Sequence, residues 1–365
     1  MIFDPLAPPP LLTHDLPGIG GRIKQIPEDF EVEEIPAYEP CGSGEYLYLW
    51  LEKCGMGADF FVRQVARRLG ISPGEVGSAG MKDRHAVTRQ MISVPDVGDE
   101  RLAQVEGDGI RLLRVSRHGN KLKPGHLRGN RFRILIRDVA AAAGDRLPPL
   151  LARLRAQGFP NYYGPQRFGR EGETVQLGFS LLRKAQSAAR EAPGAPALRA
   201  PRSPFLRRLA LSAAQAALFN QYLGSRLLDG LLHQVLAGDV ISKRPLGGLF
   251  LATDLAAEQA RFERRETVHT GPMFGRKMYA AAHQAAAREA AALAAAGLTL
   301  DAFFGFGKLL QGTRRHNLVY PDDLAANPVA DGIQLICTLP AGSYATVLLR
   351  ELMKNPGLDT EEGGS

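Results

Sequence analysis

Apolar residues recur with period two in several segments between Asp29 and Arg137, shift to helical spacing after about Gly158, and return to period two at Ile333. The two periods cannot be exchanged, because side chains alternate across a strand but repeat every 3.6 residues around a helix. DFEVEEI from Asp29, RQMISV from Arg89 and RLLRVS from Arg111 read as strands. EYLYLWLE from Glu45 sets Tyr46, Tyr48 and Trp50 on one face and Leu47, Leu49 and Leu51 on the other, as a strand covered on both faces does. RFRILIR from Arg131 gives one apolar face, Phe132, Ile134 and Ile136, and one basic face. A helix is predicted over Ala58 to Leu69, with Phe61, Val65 and Leu69 inward and Gly70 as its stop. Helices then dominate: one from Leu211, and an alanine-rich one from Tyr279 to Ala296 closed by Gly297. IQLICTL from Ile333 and TVLLRELMK from Thr346 close the chain as a strand and a helix. The predicted class is α/β, more narrowly α+β: one sheet interrupted by a mainly helical insertion whose two ends return to it.

At 365 residues the chain is long enough for roughly two domains. The first seventeen residues, five of them proline, read as an arm lying on the surface. AREAPGAPALRAPRSP from Ala189 reads as an exposed loop, and residues 355–365 as a flexible tail. No run approaches the ~18 apolar residues of a membrane span, and the N-terminus lacks a secretory pattern. Those features predict a cytoplasmic protein with no membrane partner. Cys41, Cys54 and Cys337 include no C-x-x-C pair, so free and buried thiols are expected rather than disulfides or a zinc site.

The net charge is +7. Between Asp108 and Asp138 no acid occurs, yet Arg111, Arg114, Arg117, Lys121, Lys123, Arg128, Arg131, Arg133 and Arg137 fall inside. A second acid-free stretch, from Ala192 to Leu228, carries Arg199, Arg202, Arg207, Arg208 and Arg226. Such runs form either a solvated basic surface or a site for an anion, and their density without interleaved acids favours nucleic acid.

Common catalytic signatures are missing. There is no G-x-x-x-x-G-K-[ST] phosphate loop, no G-x-G-x-x-G after a strand and no G-x-S-x-G elbow. The eight histidines form no H-E-x-x-H and no H-x-H, so no metal is expected. What remains are polar clusters beside strands. SAGMKDRHAVTRQ from Ser78 packs Lys82, Asp83 and Arg84 together, which reads either as a charged turn or as a carboxylate kept ionised by its neighbours and able to act as a nucleophile. KQIPEDFEVEE from Lys24 sets Phe30 at a strand start, and LRGNRFRI places Asn130 and Phe132 inside the basic run. An amide can read a base edge and a ring can stack on it, although Phe30 and Phe132 also fit a core. GFPNYYGPQRFGREG from Gly158 and LPAGSYATVLLREL from Leu339, with Tyr344 in its turn, are too rigid and aromatic for linkers.

K-x-x-PEDF, AGMKDRHAVTRQ, LRGNRF, PNYYGPQRFGR, ALFNQYLGSRL and LPAGSYAT, in that order from about Lys24 to Leu352, resemble the TruD family of tRNA pseudouridine synthases. The resemblance implies a catalytic domain on a mixed, largely antiparallel sheet, here 1–158 with 320–354, and an inserted TRUD domain over 159–319. It implies that Asp83 is the catalytic carboxylate, that Lys24 orients it, and that Phe30, Asn130, Phe132 and Tyr344 bind a flipped uridine, with Tyr344 standing where many relatives carry Phe. Lys82, Arg84, Arg128, Arg131 and Arg167 are expected on the RNA backbone. The implied substrate is tRNA, at uridine 13 of the D arm, and the isomerisation needs no cofactor; a monomer is the default expectation, since the sequence carries no sign of oligomeric state. Asp83 can stabilise an oxocarbenium, attack C1′ or remove a C2′ proton, and the sequence does not choose among these. Two rivals stand beside this reading: a non-catalytic structured-RNA-binding protein and a glycosidase that releases uracil.

Overall fold

Leu127–Val139, the longest strand, runs through the middle of the main sheet. The order across that sheet is Asp322–Val329, Gly332–Pro340, Leu127–Val139, Phe30–Pro36, Val87–Pro95, Tyr46–Cys54 and Ile110–His118. Phe30–Pro36 pairs in parallel with Val87–Pro95, and the other neighbours along this path are antiparallel. The sheet is therefore mixed and largely antiparallel, as expected. The structure, a computed structural model, describes residues 3–191, 203–245 and 247–355. The proline-rich loop and the tail lie outside the described residues except at their ends.

Leu127–Val139 alternates as read: Phe132, Ile134 and Ile136 are buried, while Arg131 and Arg133 are exposed. Its start is a tight crossing. A Cβ on Gly129 would stand 2.3 Å from the Leu339 carbonyl oxygen, so only glycine lets Gly332–Pro340 pass this close. Tyr46–Cys54 has neighbours on both sides, and its leucine face packs on the helix Ala58–Leu69 through Phe61, Val65 and Leu69. Gly70 ends that helix in the left-handed region.

Four of the nine cations in the basic run are answered from within. Arg111 pairs with Glu52, Arg114 with Glu39, Arg117 with Asp96, and Arg137 with Asp29 and Asp331. Acids distant in sequence thus meet a stretch that has none of its own. In the second stretch Arg226 is fully buried and forked onto Asp239, both contacts at 2.7 Å, so it adds nothing to a surface field. Arg199 and Arg202 lie outside the described residues.

The chain leaves and re-enters the main sheet through paired two-residue strands, with Phe159 opposite Val319 and Pro160 opposite Leu318. Between them stand the long helices Glu173–Glu191 and Pro204–Leu228, which cross so closely that a Cβ on Gly178 would lie 2.1 Å from the Ala210 carbonyl oxygen. The second begins seven residues before the expected Leu211, because Ser203 caps it and Pro204 opens it. The alanine-rich helix is shorter than expected, His283–Ala295, and is pinned by a buried Glu289–Arg314 pair at 2.7 Å. The segment is less helical than its sequence suggests. It carries a four-stranded sheet in the order Leu249–Leu251, Val240–Lys243, Thr267–Met273, Thr313–His316.

One apolar cluster joins the two parts, since Phe132, Ile134 and Leu335 of the main sheet share it with Phe159, Phe219, Tyr222 and Val268. The N-terminal arm is also no loose surface strand. Thr13 is buried, and the Glu351 carboxylate accepts from the Leu12 amide at 2.9 Å, the Thr13 amide at 2.9 Å and the Thr13 hydroxyl at 2.7 Å. Of the cysteines, Cys337 alone is buried; Cys41 is exposed and Cys54 half-buried. Among the described residues no single helix is long and apolar enough to cross a membrane.

Candidate active site

The loop from Ala79 to Ala86 leaves the short strand Gly77–Ser78 and enters Val87–Pro95 without pairing to any strand. The amide of Gly125 ties it at the Ala79 carbonyl, 2.8 Å, and the amide of Gly55 at the Ala86 carbonyl, 3.2 Å. Asp83 sits between these ties with its side chain 41% exposed, and Lys24 Nζ lies 3.6 Å from Asp83 Oδ2. Lys24 is itself mostly covered and stands 4.4 Å over the face of Phe30. Its backbone is left-handed, φ 58°, a conformation that costs a side-chain-bearing residue roughly 1–2 kcal/mol. The ammonium is thus held between a negative ring face and a carboxylate.

Of the two cations next to Asp83 in sequence, Lys82 departs from expectation. Lys82 turns inward to Glu34, 2.8 Å away, with both side chains buried. A lysine paired in the interior is not presented to a phosphate. Arg84 is exposed.

Phe30 and Phe132 meet edge to face with centroids 6.0 Å apart, both inside the core cluster. Asn130 follows on the same strand face as Phe132, opposite Glu34 on one side and Leu339 on the other. Its Oδ1 is buried and makes no hydrogen bond in the protein. A buried acceptor left so costs about 1–3 kcal/mol, a cost that a bound donor removes. Arg131 projects from the opposite face, away from Asn130 and Phe132. Arg128 stays exposed at the strand start and donates to the Ala37 carbonyl at 3.2 Å.

The register of Asn130 with Leu339 brings in a further group. The amide of Ala341 donates to the Arg128 carbonyl, Ser343 closes a turn on Pro340, and Tyr344 precedes the helix Ala345–Met353. Tyr344 packs edge-on to Tyr163 at 5.8 Å. Arg315 binds this corner together: its guanidinium lies 4.0 Å over the Tyr163 ring and donates to Asn161 O at 2.9 Å, Asn161 Oδ1 at 2.7 Å and Gly342 O at 2.9 Å. Burial pushes the Tyr344 hydroxyl above its ordinary pKa, with Arg167 and Arg315 opposing that shift. Arg167, expected on RNA, donates to the Ser212 hydroxyl, with its guanidinium 5.8 Å from Tyr163.

Contacts therefore join Lys24, Phe30, Phe132 and Asp83, and strand register adds Asn130 and the turn before Tyr344. Lys82 and Arg131 point elsewhere. Sequence reasoning missed Lys53, Glu34, Tyr163 and Arg315. Lys53 had a signal, since it extends the Leu47, Leu49, Leu51 face of its strand where an apolar residue belongs. Among the described residues no cluster of three or more His, Cys, Asp or Glu is placed to hold a metal.

The chain is similar throughout to proteins of one kind. It is 45% identical to the tRNA pseudouridine synthase D of Anaeromyxobacter sp. (strain Fw109-5), covering 94% of this chain and 96% of that one. It is 40% identical to that of Thermus thermophilus, covering 96% and 93%. A crystal structure described as tRNA pseudouridine synthase D from Methanosarcina mazei matches with a TM-score of 0.75 and 25% identity, over 95% of this chain and 97% of that one. The architecture is that of a tRNA pseudouridine synthase. The model of one family, tRNA pseudouridine synthase D (TruD), matches residues 10–203 and 195–352, and the chain belongs to that family.

Proposed function

We propose that the protein converts uridine 13 in the D arm of tRNA to pseudouridine, with Asp83 as the catalytic carboxylate. The reaction breaks the N1–C1′ bond, turns the uracil, forms C5–C1′, and moves one proton from C5 to N1. Atoms and electrons balance within the substrate, so the reading calls for no cofactor. Asp83 acts at the sugar as C1′ loses its base, and Lys24 holds the carboxylate aimed. Uracil offers an N3–H donor flanked by two carbonyls, the complement of an amide, and Asn130 has the unpartnered acceptor for that donor. A base inside folded tRNA reaches such a site by flipping, with Tyr344 at the turn beside it. Phe30 and Phe132 serve from beneath, as the packed support of Lys24. The paired strands at Phe159–Pro160 and Leu318–Val319 mark where an inserted tRNA-binding domain joins the catalytic one, and the enzyme works as a cytoplasmic monomer.

The observation that carries this reading is Lys24 Nζ 3.6 Å from Asp83 Oδ2, with the buried Oδ1 of Asn130 left without a hydrogen bond on the central strand. The test is tritium release from tRNA labelled at uracil C5, comparing wild type with Asp83→Asn, with circular dichroism to confirm that both are folded. Release by the wild type alone, at unchanged RNA mass, is expected. Equal release from both proteins would remove Asp83 from its role, and the appearance of free uracil with a matching loss of RNA mass would convert the reading to hydrolysis.

A further inference from the structure

Lys53 ends the leucine face of Tyr46–Cys54 and is completely buried. Burying an ammonium is costly, and desolvation draws this one down to a pKa of about 8. Its hydrogen-bond partners are two main-chain carbonyls: Nζ donates to Met56 O at 2.5 Å and to Asp83 O at 2.8 Å.

We propose that Lys53 is a positioning residue for the isomerisation, gripping the Asp83 peptide from beneath so that the carboxylate stands where Lys24 and the substrate sugar meet it. The proposal rests on the reading of Asp83 given above. The loop Ala79 to Ala86 has no strand pairing of its own, and its amide ties to Gly125 and Gly55 lie at its two ends. At its middle Lys82 reaches down to Glu34, Lys24 stands at the Asp83 carboxylate, and Lys53 reaches up to the Asp83 carbonyl. Lys53 also grips Met56 O while Gly55 N grips Ala86 O, so one short segment clamps the loop at two points. Either protonation state of Lys53 retains enough N–H groups for both carbonyls. Stability alone would be served as well by another leucine-like side chain in this apolar row, because a buried charge is rarely the more stable choice. What the amine adds is orientation of the peptide that bears the carboxylate.

Lys53→Met keeps the unbranched apolar stem as far as the Cε position and removes its donors. The measurements are the single-turnover rate of pseudouridine formation at saturating enzyme, the tRNA Kd by filter binding, and the thermal melt, with Asp83→Asn alongside. The expected result is a rate lowered about 10- to 100-fold, the loss that follows displacement of a reacting group by about an ångström, with Kd within about twofold of wild type. A wild-type rate, or a rate loss matched by an equal loss of tRNA affinity, overturns the proposal. Should Lys53→Met melt below the assay temperature, Lys53→Gln is judged on the same two readouts: a lowered rate at unchanged affinity supports the proposal, and any other result overturns it. Full activity in Asp83→Asn would instead remove the reading of Asp83 itself, whereas inactive Asp83→Asn beside fully active Lys53→Met overturns the role of Lys53 alone.

Discussion

Lys53 and Lys82 are both lysines that a reader of the sequence would place in solvent, and both are buried beside Asp83. Lys53 carries a pH signature. Its folded pKa of about 8 lies below the ~10.4 of an unfolded lysine, so between those values the unfolded chain binds more protons. The cost of burying its charge is felt in full below pH 8 and fades as pH rises toward 10.4. Its contribution to stability therefore rises with pH across that window, and Lys53→Met is expected to lose that rise. Urea unfolding of both proteins at pH 7.5 and pH 10 checks it: an equal pH response in the two would contradict the burial of Lys53. Lys24, Asp83, Asn130 and Tyr344 are legible through the family resemblance, because they lie in short polar motifs beside strands; the residues alone left Asp83 as either a charged turn or a working carboxylate. Lys53, Glu34 and Arg315 are not legible in that way, because what defines them is which partner the fold brings to them. A buried Lys–Glu pair and a lysine on two carbonyls leave no local pattern, apart from a charge at an apolar register position.

At the level of elements, the strand Leu127–Val139 shows how far a period can be read. Its alternation announced one buried and one basic face, and both are present. The same alternation sends Arg131 and Arg133 away from the face that carries Asn130. Replacing both by Ala is therefore expected to leave the single-turnover rate at saturating enzyme within about twofold of wild type, whatever it does to tRNA affinity, because phosphate contacts add binding rather than chemistry. A much lower saturated rate would place those arginines at the reacting nucleotide. The four-stranded sheet of the insertion escaped the sequence reading for a physical reason. Its strands are three to seven residues long, and Thr267–Met273 is buried throughout, so alternation has nothing to mark. Asp322–Val329 was hidden likewise, as an edge strand with a register shift between Asp322 and Ala325 and with Pro328 near its end.

For the molecule as a whole, the first and last segments of the chain hold each other. Glu351 is 1% exposed, and its carboxylate is satisfied by Leu12 and Thr13. Glu351→Gln keeps the shape but loses the charge and replaces one acceptor by a donor facing donors. A loss of about 2–3 kcal/mol is expected, read from denaturant unfolding, with the rate per folded molecule unchanged. Stability at the wild-type level would mean that the arm is held by packing alone. The strand order has a consequence in time. Leu127–Val139 finds one neighbour, Phe30–Pro36, already made, but its other neighbour, Gly332–Pro340, is still unsynthesised and follows almost two hundred residues later. At ~5–20 residues per second, a ribosome takes ~10–40 s to deliver it. Throughout that interval the nascent sheet has an open edge where Asn130 will meet Leu339, and the residues expected to grip uridine belong to a chain that is not yet an enzyme.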